Sequence, residues 1–470
     1  MFRPHDLVGC RYRLLQSQRY PDTPPTELNI EREERNKELV AHMQSLAPEP
    51  FDAHHDEFLT LEAMAAAHPL IINARFVEEP YDVSIDFLVQ RGRNWMPIVV
   101  SRHHIARPHS TRQLWTRNLQ TLGRGSRFRT NTYIRHKSAV DGYRLAMASH
   151  ILDSYGLDSG WGGLVSADDP RVYEVETSRF MLPEPRIDTR ARRVRECANC
   201  RFWQYCKQEL EEADDVSLVL TGDKAEELRE AGIDTVQKLI NANLPNYSSM
   251  ARGYRHQLPA LRRVDPPRIP QWDVEIDIDM EAYLVEGAYL WGCWDGSEYT
   301  PFITWEGLGA EPEAENFAAF WAWLSARREE AEAAGKSFAA FCYSEQGENH
   351  WLRESAIRFE GHPGVPTLEE INEFIASPQW VDVFDMVRKN IRSFHGMSLK
   401  TIARIAGFEW EESDLNGEKS VESFRIATDP ENPVESEKAR LLRYNRDDCR
   451  ATQVVRDWLR AGAPGLHLLL

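Results

Sequence analysis

The sequence predicts an α/β protein built as two units joined by a helical spacer. Three observations carry this. The chain has 470 residues, 42% of them apolar and 28% charged, enough for two or three packed cores. Strand-like and helix-like runs fall in two blocks, separated by a proline cluster, LPALRRVDPPRIP, at 258–270. Cysteines stand at both ends of the first block, Cys10 at one and CANCRFWQYC at the other. The composition excludes fibrous and disordered classes. No apolar run of membrane-spanning length occurs, and the opening MFRPHDLVGCRYRLLQ lacks a signal-peptide core, so a cytoplasmic protein with no membrane contact is expected. In that reducing compartment the seven cysteines read as thiols or metal ligands, not as a disulfide framework.

In the first block a charged helix is predicted over 31–46 and a second over 59–67. Two strands follow, IDFLV and MPIVV, then a helix near 140–154. The net charge of −18 hides a basic stretch. Residues 101–150 carry ten Arg or Lys against one acid, Asp141. Clustered arginines are the usual footprint of phosphate binding, so Arg112, Arg117, Arg124, Arg127, Arg129, Arg135 and Lys137 are candidate contacts to DNA or RNA. Residues 216–242 read helix, turn, helix. Gly232 closes the first helix and Asp234 or Thr235 caps the second, either as a helix-hairpin-helix phosphate clamp or as a packing spacer.

Cys197, Cys200 and Cys206 are spaced C-x2-C-x5-C, with Cys10 far upstream. Four thiolates suit an iron–sulfur cluster or zinc. A lone early cysteine within RPHDLVGC, followed by this late triplet, resembles the iron–sulfur RecB-like nucleases. The resemblance implies a [4Fe–4S] cluster on Cys10, Cys197, Cys200 and Cys206, with zinc as the alternative, clasping a PD-(D/E)xK fold over residues 1–210. The catalytic pattern of that fold is degenerate here. Asp86 suits its first acid, but the next strand offers only Ser101 and His103, or Val100 and Arg102, where an acid and a lysine belong, and YRLAMASHIL departs from Gln-x-x-x-Tyr. A catalytically dead fold that still binds nucleic acid is therefore expected, with Asp86 as a strand-end cap.

After a spacer and linker over 211–268, residues 269–470 show three strands (WDVEIDIDMEAYL, GAYLWGCW, YTPFITW), an amphipathic helix over 313–334, the strand SFAAFCYS, and further helices. This is the order of a ribonuclease-H-like core. Side chains alternate along a strand, so Asp277 and Asp279 share a face, with Asp273 and Glu275 in the same parity. Tyr444 and Asp448 in YNRDDC stand at i and i+4 of a helix over 434–460. Glu348 opens a helix between them, with Glu345 as its competitor. Converging carboxylates of this kind can hold Mg²⁺ or Mn²⁺. Asp277, Asp279, Glu348 and Asp448 are the expected ligands, and Tyr444 would orient water.

The D-x-(D/E), middle-acid, Y-x-x-x-D series resembles the tyrosine-type DEDD exonucleases, and most of all the YprB-type domain. Two departures stand out. Asp279 lies where that family has Glu, and Phe341-Cys342-Tyr343 replaces Tyr-His-Tyr. With GMSLKTIARIAGFEW and the domain order, nearly the whole chain resembles the RecB-like nuclease family. The resemblance implies 3′–5′ exonuclease-like hydrolysis of DNA or RNA in the C-terminal domain, nucleic-acid binding by the N-terminal domain, and a DNA-repair setting whose helicase or repair partner is unidentified. The alternative is a non-catalytic iron–sulfur scaffold that binds nucleic acid.

Overall fold

The computed structural model describes residues 1–135, 138–267, 269–284, 286–431 and 433–470, leaving aside the side chains of Leu28 and Glu418. The chain divides into two compact units, Met1–Lys238 and Leu239–Leu470.

The first unit holds an eight-stranded sheet. Leu70–Glu78, Tyr81–Arg91 and Asn94–Val100 form an antiparallel meander. Asn94–Val100 then pairs in parallel with Trp161–Ser166, Ile98 opposite Gly163. A parallel pair needs a crossover, and the helix Ala139–Ser154 lies within that connection. Its Leu145, Ile151 and Leu152 join Ile85, Val99 and Leu164 in one core. The opposite face of the sheet, with Phe87, Met96 and Ile98, is covered by Leu39, Val40 and Met43 of the helix Glu27–Ser45. Period two in the strands and a helix on each face give a layered α/β unit.

The second unit centres on a five-stranded sheet in the order Tyr299–Ile303, Gly287–Trp294, Val274–Tyr283, Phe338–Cys342, Trp380–Asp382. The first three strands are antiparallel neighbours, and the last two run parallel to Val274–Tyr283. Alternation decides which residues meet which layer. Ile276, Ile278, Ala340 and Cys342 pack with Phe317, Phe320 and Leu324 of the helix Glu311–Ala333. Ala339 and Phe341 face the other way, into a core with Ala451, Val455 and Leu459 of the long helix Glu435–Arg460. The acidic positions of Val274–Tyr283 have the parity opposite to Ile276 and Ile278. Part of the expected linker is structured: Ala260–Arg262 pairs with both Ile391–Ser393 and His467–Leu468. The helix-turn-helix appears as Asp223–Glu230 and Val236–Asn241, with Thr235 Oγ1 accepting from the Lys238 amide at 3.0 Å.

Candidate metal centre and the carboxylates around it

One strand and one helix build the site. Glu275, Asp277, Asp279 and Glu281 alternate along Val274–Tyr283. Tyr444, Asp448, Thr452, Arg456 and Arg460 recur at every fourth position of Glu435–Arg460, forming one stripe. Where the stripe is cationic, the acids are neutralised. Buried Arg456 grips Asp277 with both terminal nitrogens, one contact being Nη2 to Oδ2 at 3.1 Å, and lies 3.1 Å from Glu275. Its guanidinium also sits 3.8 Å from the Phe341 ring centroid. Arg460 donates to Glu275 at 2.9 Å. Asp277, expected among the metal ligands, is thus one half of a buried ion pair. Burial pushes its carboxyl up to about 6, with Arg456 pulling the other way.

Where the stripe is acidic, the carboxylates gather. Asp279, Glu281 and Asp448 each offer an oxygen within 4.8 Å of the others. Asp279 is half-buried, and Glu281 and Asp448 are buried. Neutral donors hold each one. Asn445 Nδ2 donates to Asp279 Oδ2 at 2.8 Å, while Asn445 Oδ1 accepts from the Tyr299 hydroxyl at 2.8 Å. Asn445 has room because position 292 is glycine: a Cβ there would lie 1.7 Å from Asn445 Oδ1. Ser420 donates to Glu281 Oε2 at 2.8 Å, and Trp410 Nε1 to Asp448 Oδ1 at 2.6 Å. Tyr444, one helical turn before Asp448 on the same face, interacts with it electrostatically. Among the described residues, none of the three acids has an Arg or Lys within ion-pair distance.

Burial without a cation raises their affinity for protons. Burial, then repulsion from Asp448, raises Asp279 well above the usual range, and the same two causes push Glu281 up to about 8. Asp448 rises to about 6, chiefly through burial. Glu348, in the first turn of Gln346–Arg358, is buried and raised to about 8, first by burial and then by Asp382 and Glu345. It acts electrostatically on both Asp279 and Glu281, whereas Glu345 stands at the N-cap position of the same helix without a side-chain capping bond. Hard, partly dehydrated oxygen ligands with no described Arg or Lys in ion-pair contact suit a divalent cation.

The family model for the RNase H superfamily matches residues 278–460. The C-terminal unit is ribonuclease-H-like. That span contains Asp279, Glu281, Glu348, Tyr444 and Asp448. No curated protein and no solved structure matches the chain.

The sequence points to Asp277 and Asp279 as the D-x-(D/E) pair; the structure pairs Asp277 with Arg456 and brings Asp279 and Glu281, from Asp279-Met280-Glu281, together with Asp448. Glu281, Asn445, Ser420 and Trp410 escaped the sequence reading. The signal that could have found Glu281 is the stripe itself, since two arginines at i+8 and i+12 from Asp448 must face the earlier acids of the strand.

In the N-terminal unit Asp86 meets Arg144. Arg144 donates to both its oxygens at 2.8 and 3.0 Å, and the Val100 amide donates at 2.7 Å, so it is an ion-pair partner more than a cap. Ser101 stands where the second acid was sought, and its Oγ accepts from the His103 amide at 3.3 Å.

The four thiols lie near one another. Cys200 and Cys10 are both felt by Cys197 and by Cys206. Gln16 Nε2 donates to Cys206 Sγ at 3.4 Å and to Glu209 at 2.9 Å, and the Tyr12 hydroxyl donates to Glu209 at 2.6 Å. Tyr20 stacks on Tyr205 with centroids 4.0 Å apart. These contacts fasten the N-terminal helix Tyr12–Arg19 to Trp203–Glu212.

Of the basic candidates, Arg112, Arg124, Arg127, Arg129 and Arg135 are exposed, Arg117 is half-buried, and Lys137 lies outside the described residues. Three arginines converge on the buried Glu174 carboxylate: Arg117 at 2.6 Å, Arg127 at 3.5 Å and Arg91 at 3.6 Å. Arg124 pairs with Glu49 at 3.0 Å. Arg127 and Arg129 lie 4.2 and 4.7 Å from the Trp115 ring centroid.

Proposed function

We propose that the C-terminal unit is a divalent-metal-dependent nuclease that hydrolyses phosphodiester bonds of DNA or RNA in the manner of a 3′–5′ exonuclease. The observation that carries this is the gathering of Asp279, Glu281 and Asp448 with no described Arg or Lys in ion-pair contact, inside the span matched by the RNase H superfamily. Those three would hold Mg²⁺ or Mn²⁺, with Glu348 completing the set. Bound there, such ions activate water and stabilise a leaving oxygen. Asn445, Ser420 and Trp410 fix the carboxylate oxygens, and Tyr444, one helical turn before Asp448, orients the attacking water. A cavity of about 750 Å³ opens at the start of the helix that carries Glu348. Glu345, Asp382, Phe384 and Arg388 are among its lining residues, and it is large enough for a nucleotide.

The N-terminal unit, in this reading, is an inactive nuclease fold that holds the strand through its exposed arginines. Its four cysteines hold a [4Fe–4S] cluster. The C-x2-C-x5-C spacing of Cys197, Cys200 and Cys206, with Cys10 far upstream, supports this reading. Protein purified without oxygen should be brown and contain iron; one zinc per chain and no iron would give the site to zinc.

The deciding assay is cleavage of single-stranded, double-stranded and flapped substrates with Mn²⁺, comparing the wild type with Asp448→Asn. Mn²⁺-dependent cutting lost in the variant supports the nuclease. Nucleic-acid binding with no cutting of any substrate would favour the scaffold.

A further inference from the structure

The segment GMSLKTIARIAGFEW contributes more to the site than Trp410. Lys400, on the short helix Leu399–Ile405, is half-buried beside the carboxylates, within electrostatic reach of Asp448 and Glu281. Its Nζ lies 4.9 Å from the Tyr444 ring centroid and 5.6 Å from that of Trp410, and it donates to the Leu415 carbonyl. Trp410 is the residue whose Nε1 hydrogen-bonds Asp448, and Tyr444 lies one helical turn before Asp448 on the same helix. An ammonium group has three donors. One is used on Leu415, and among the described residues no carboxylate comes within ion-pair distance to take the others.

This placement is unlike that of the other buried cations near acids. Arg456 neutralises Asp277 by direct contact, so it is part of the architecture. Lys400 neutralises nothing by contact. A fixed ammonium beside a divalent-metal site repels the metal, which makes it a poor device for metal binding. It suits an anion that arrives with the metal. Two aromatic faces and one carbonyl hold Nζ in place without consuming its charge.

We propose that Lys400 binds a phosphate of the nucleic-acid strand at the C-terminal site and takes no part in holding metal. The inference rests on the nuclease reading and names the group that receives the backbone there. Trp410 and Tyr444 then serve both sides of the site. The Trp410 Nε1 orients Asp448, and both rings position Lys400.

The test uses full-length protein purified without oxygen, comparing wild type, Lys400→Met, Lys400→Gln and Lys400→Arg. Affinity for a labelled single-stranded oligonucleotide is measured with Ca²⁺ in place of Mg²⁺ across a salt series, and Mn²⁺ affinity is measured separately by titration. Lys400→Met and Lys400→Gln should bind the oligonucleotide several-fold more weakly at low salt, with the log–log salt slope reduced by about 0.7, one phosphate on a single strand. Lys400→Arg should restore the slope. Mn²⁺ affinity should be unchanged or tighter in the neutral variants. A wild-type slope in both neutral variants, or loss of Mn²⁺ binding comparable to that of Asp448→Asn, would overturn the proposal. If the wild type itself neither binds Mn²⁺ nor cuts, the nuclease reading fails and takes this inference with it. If it does both while the slopes stay equal, only the role of Lys400 is lost.

Discussion

In the N-terminal unit Asp86 is buried on a sheet strand, and Arg144 meets both its oxygens. Glu174 is buried with three arginines around it. In the C-terminal unit Asp277 is buried against Arg456, but two residues further along the same strand Asp279 begins a group of carboxylates that no Arg or Lys among the described residues contacts. The same residue type at similar depth therefore stands in two electrostatic conditions. A buried carboxylate with its own guanidinium is complete, and removing either partner strands a charge. A buried group without one holds protons or waits for a cation from solution. The difference separates architecture from chemistry here better than residue type or burial does.

The comparison breaks if the two kinds of acid respond alike to substitution. Asp279→Asn and Asp448→Asn should remove Mn²⁺ binding and reduce cleavage below detection, while the metal-free protein melts no lower than wild type because a repelling charge has gone. Asp277→Ala should do the reverse. It removes the doubly bonded partner of Arg456 and leaves it only the contact to Glu275, so the C-terminal unit should lose up to about 3–5 kcal/mol, while each molecule still folded keeps its metal affinity. Denaturant titration beside a Mn²⁺ titration checks both halves. Adding Arg456→Met to Asp277→Ala should recover much of the stability.

That contrast also shows what the sequence could and could not disclose. Alternation placed the acids of Val274–Tyr283 on one face, and the four-residue step placed Tyr444 above Asp448; both follow from backbone geometry. Which acids meet Asp448 depends on how far the helix has slid along the strand, a tertiary quantity that period-two parity leaves open. The arginines at 456 and 460 resolve it once they are read as counter-charges. Ser420 is set by a separate helix, Gly417–Ala427, and had no local signal. In the N-terminal unit the lack of an acid and a lysine near Ser101 and His103 is legible, but the Arg144 that pairs with Asp86 comes from a helix some sixty residues away.

A smaller effect is expected one layer back from the cluster. Gly292→Ala places a methyl group where Asn445 Oδ1 sits, so Asn445 must release Asp279. Loss of such a supporting contact typically costs about 10–100-fold in metal affinity. Mn²⁺ titration should show that drop with only a modest loss of stability. Unchanged affinity would mean that Asp279 is positioned without Asn445.

Proton linkage sharpens the comparison further. Glu281 and Glu348 are raised to about 8 from ordinary carboxyl values near 4.5. An acid raised on folding leaves stability intact below its unfolded pKa and erodes it as pH climbs toward the folded one. Metal-free protein should therefore lose stability between about pH 4.5 and 8. Metal affinity should rise across the upper part of that range, with protons released on binding. Melting curves at several pH values, with and without Mn²⁺, test the sign. A metal-free Tm that rises over this interval would contradict the reading of the cluster as uncompensated.

The smallest effects belong to the basic surface, and there too pairing decides. Arg117 and Arg127 converge on Glu174, whereas Arg129 stands exposed over Trp115 with no ion pair to a described carboxylate. Arg129→Ala should weaken duplex DNA binding and lower the log–log salt slope by about 0.9, the value for one lost phosphate contact, with stability nearly unchanged. Arg117→Ala removes the closest of the three guanidiniums at a buried acid, so its main cost should be in stability, by ~1–2 kcal/mol because Arg91 and Arg127 remain. Arg124 should fall between them, since it must leave exposed Glu49 to meet a phosphate, and surface pairs of that kind contribute little. Salt-dependent binding of the three variants tests the ranking. A slope change for Arg117→Ala as large as that for Arg129→Ala would show that Glu174 releases its arginines to nucleic acid, and the N-terminal unit would then share the switchable electrostatics assigned here to the C-terminal site alone.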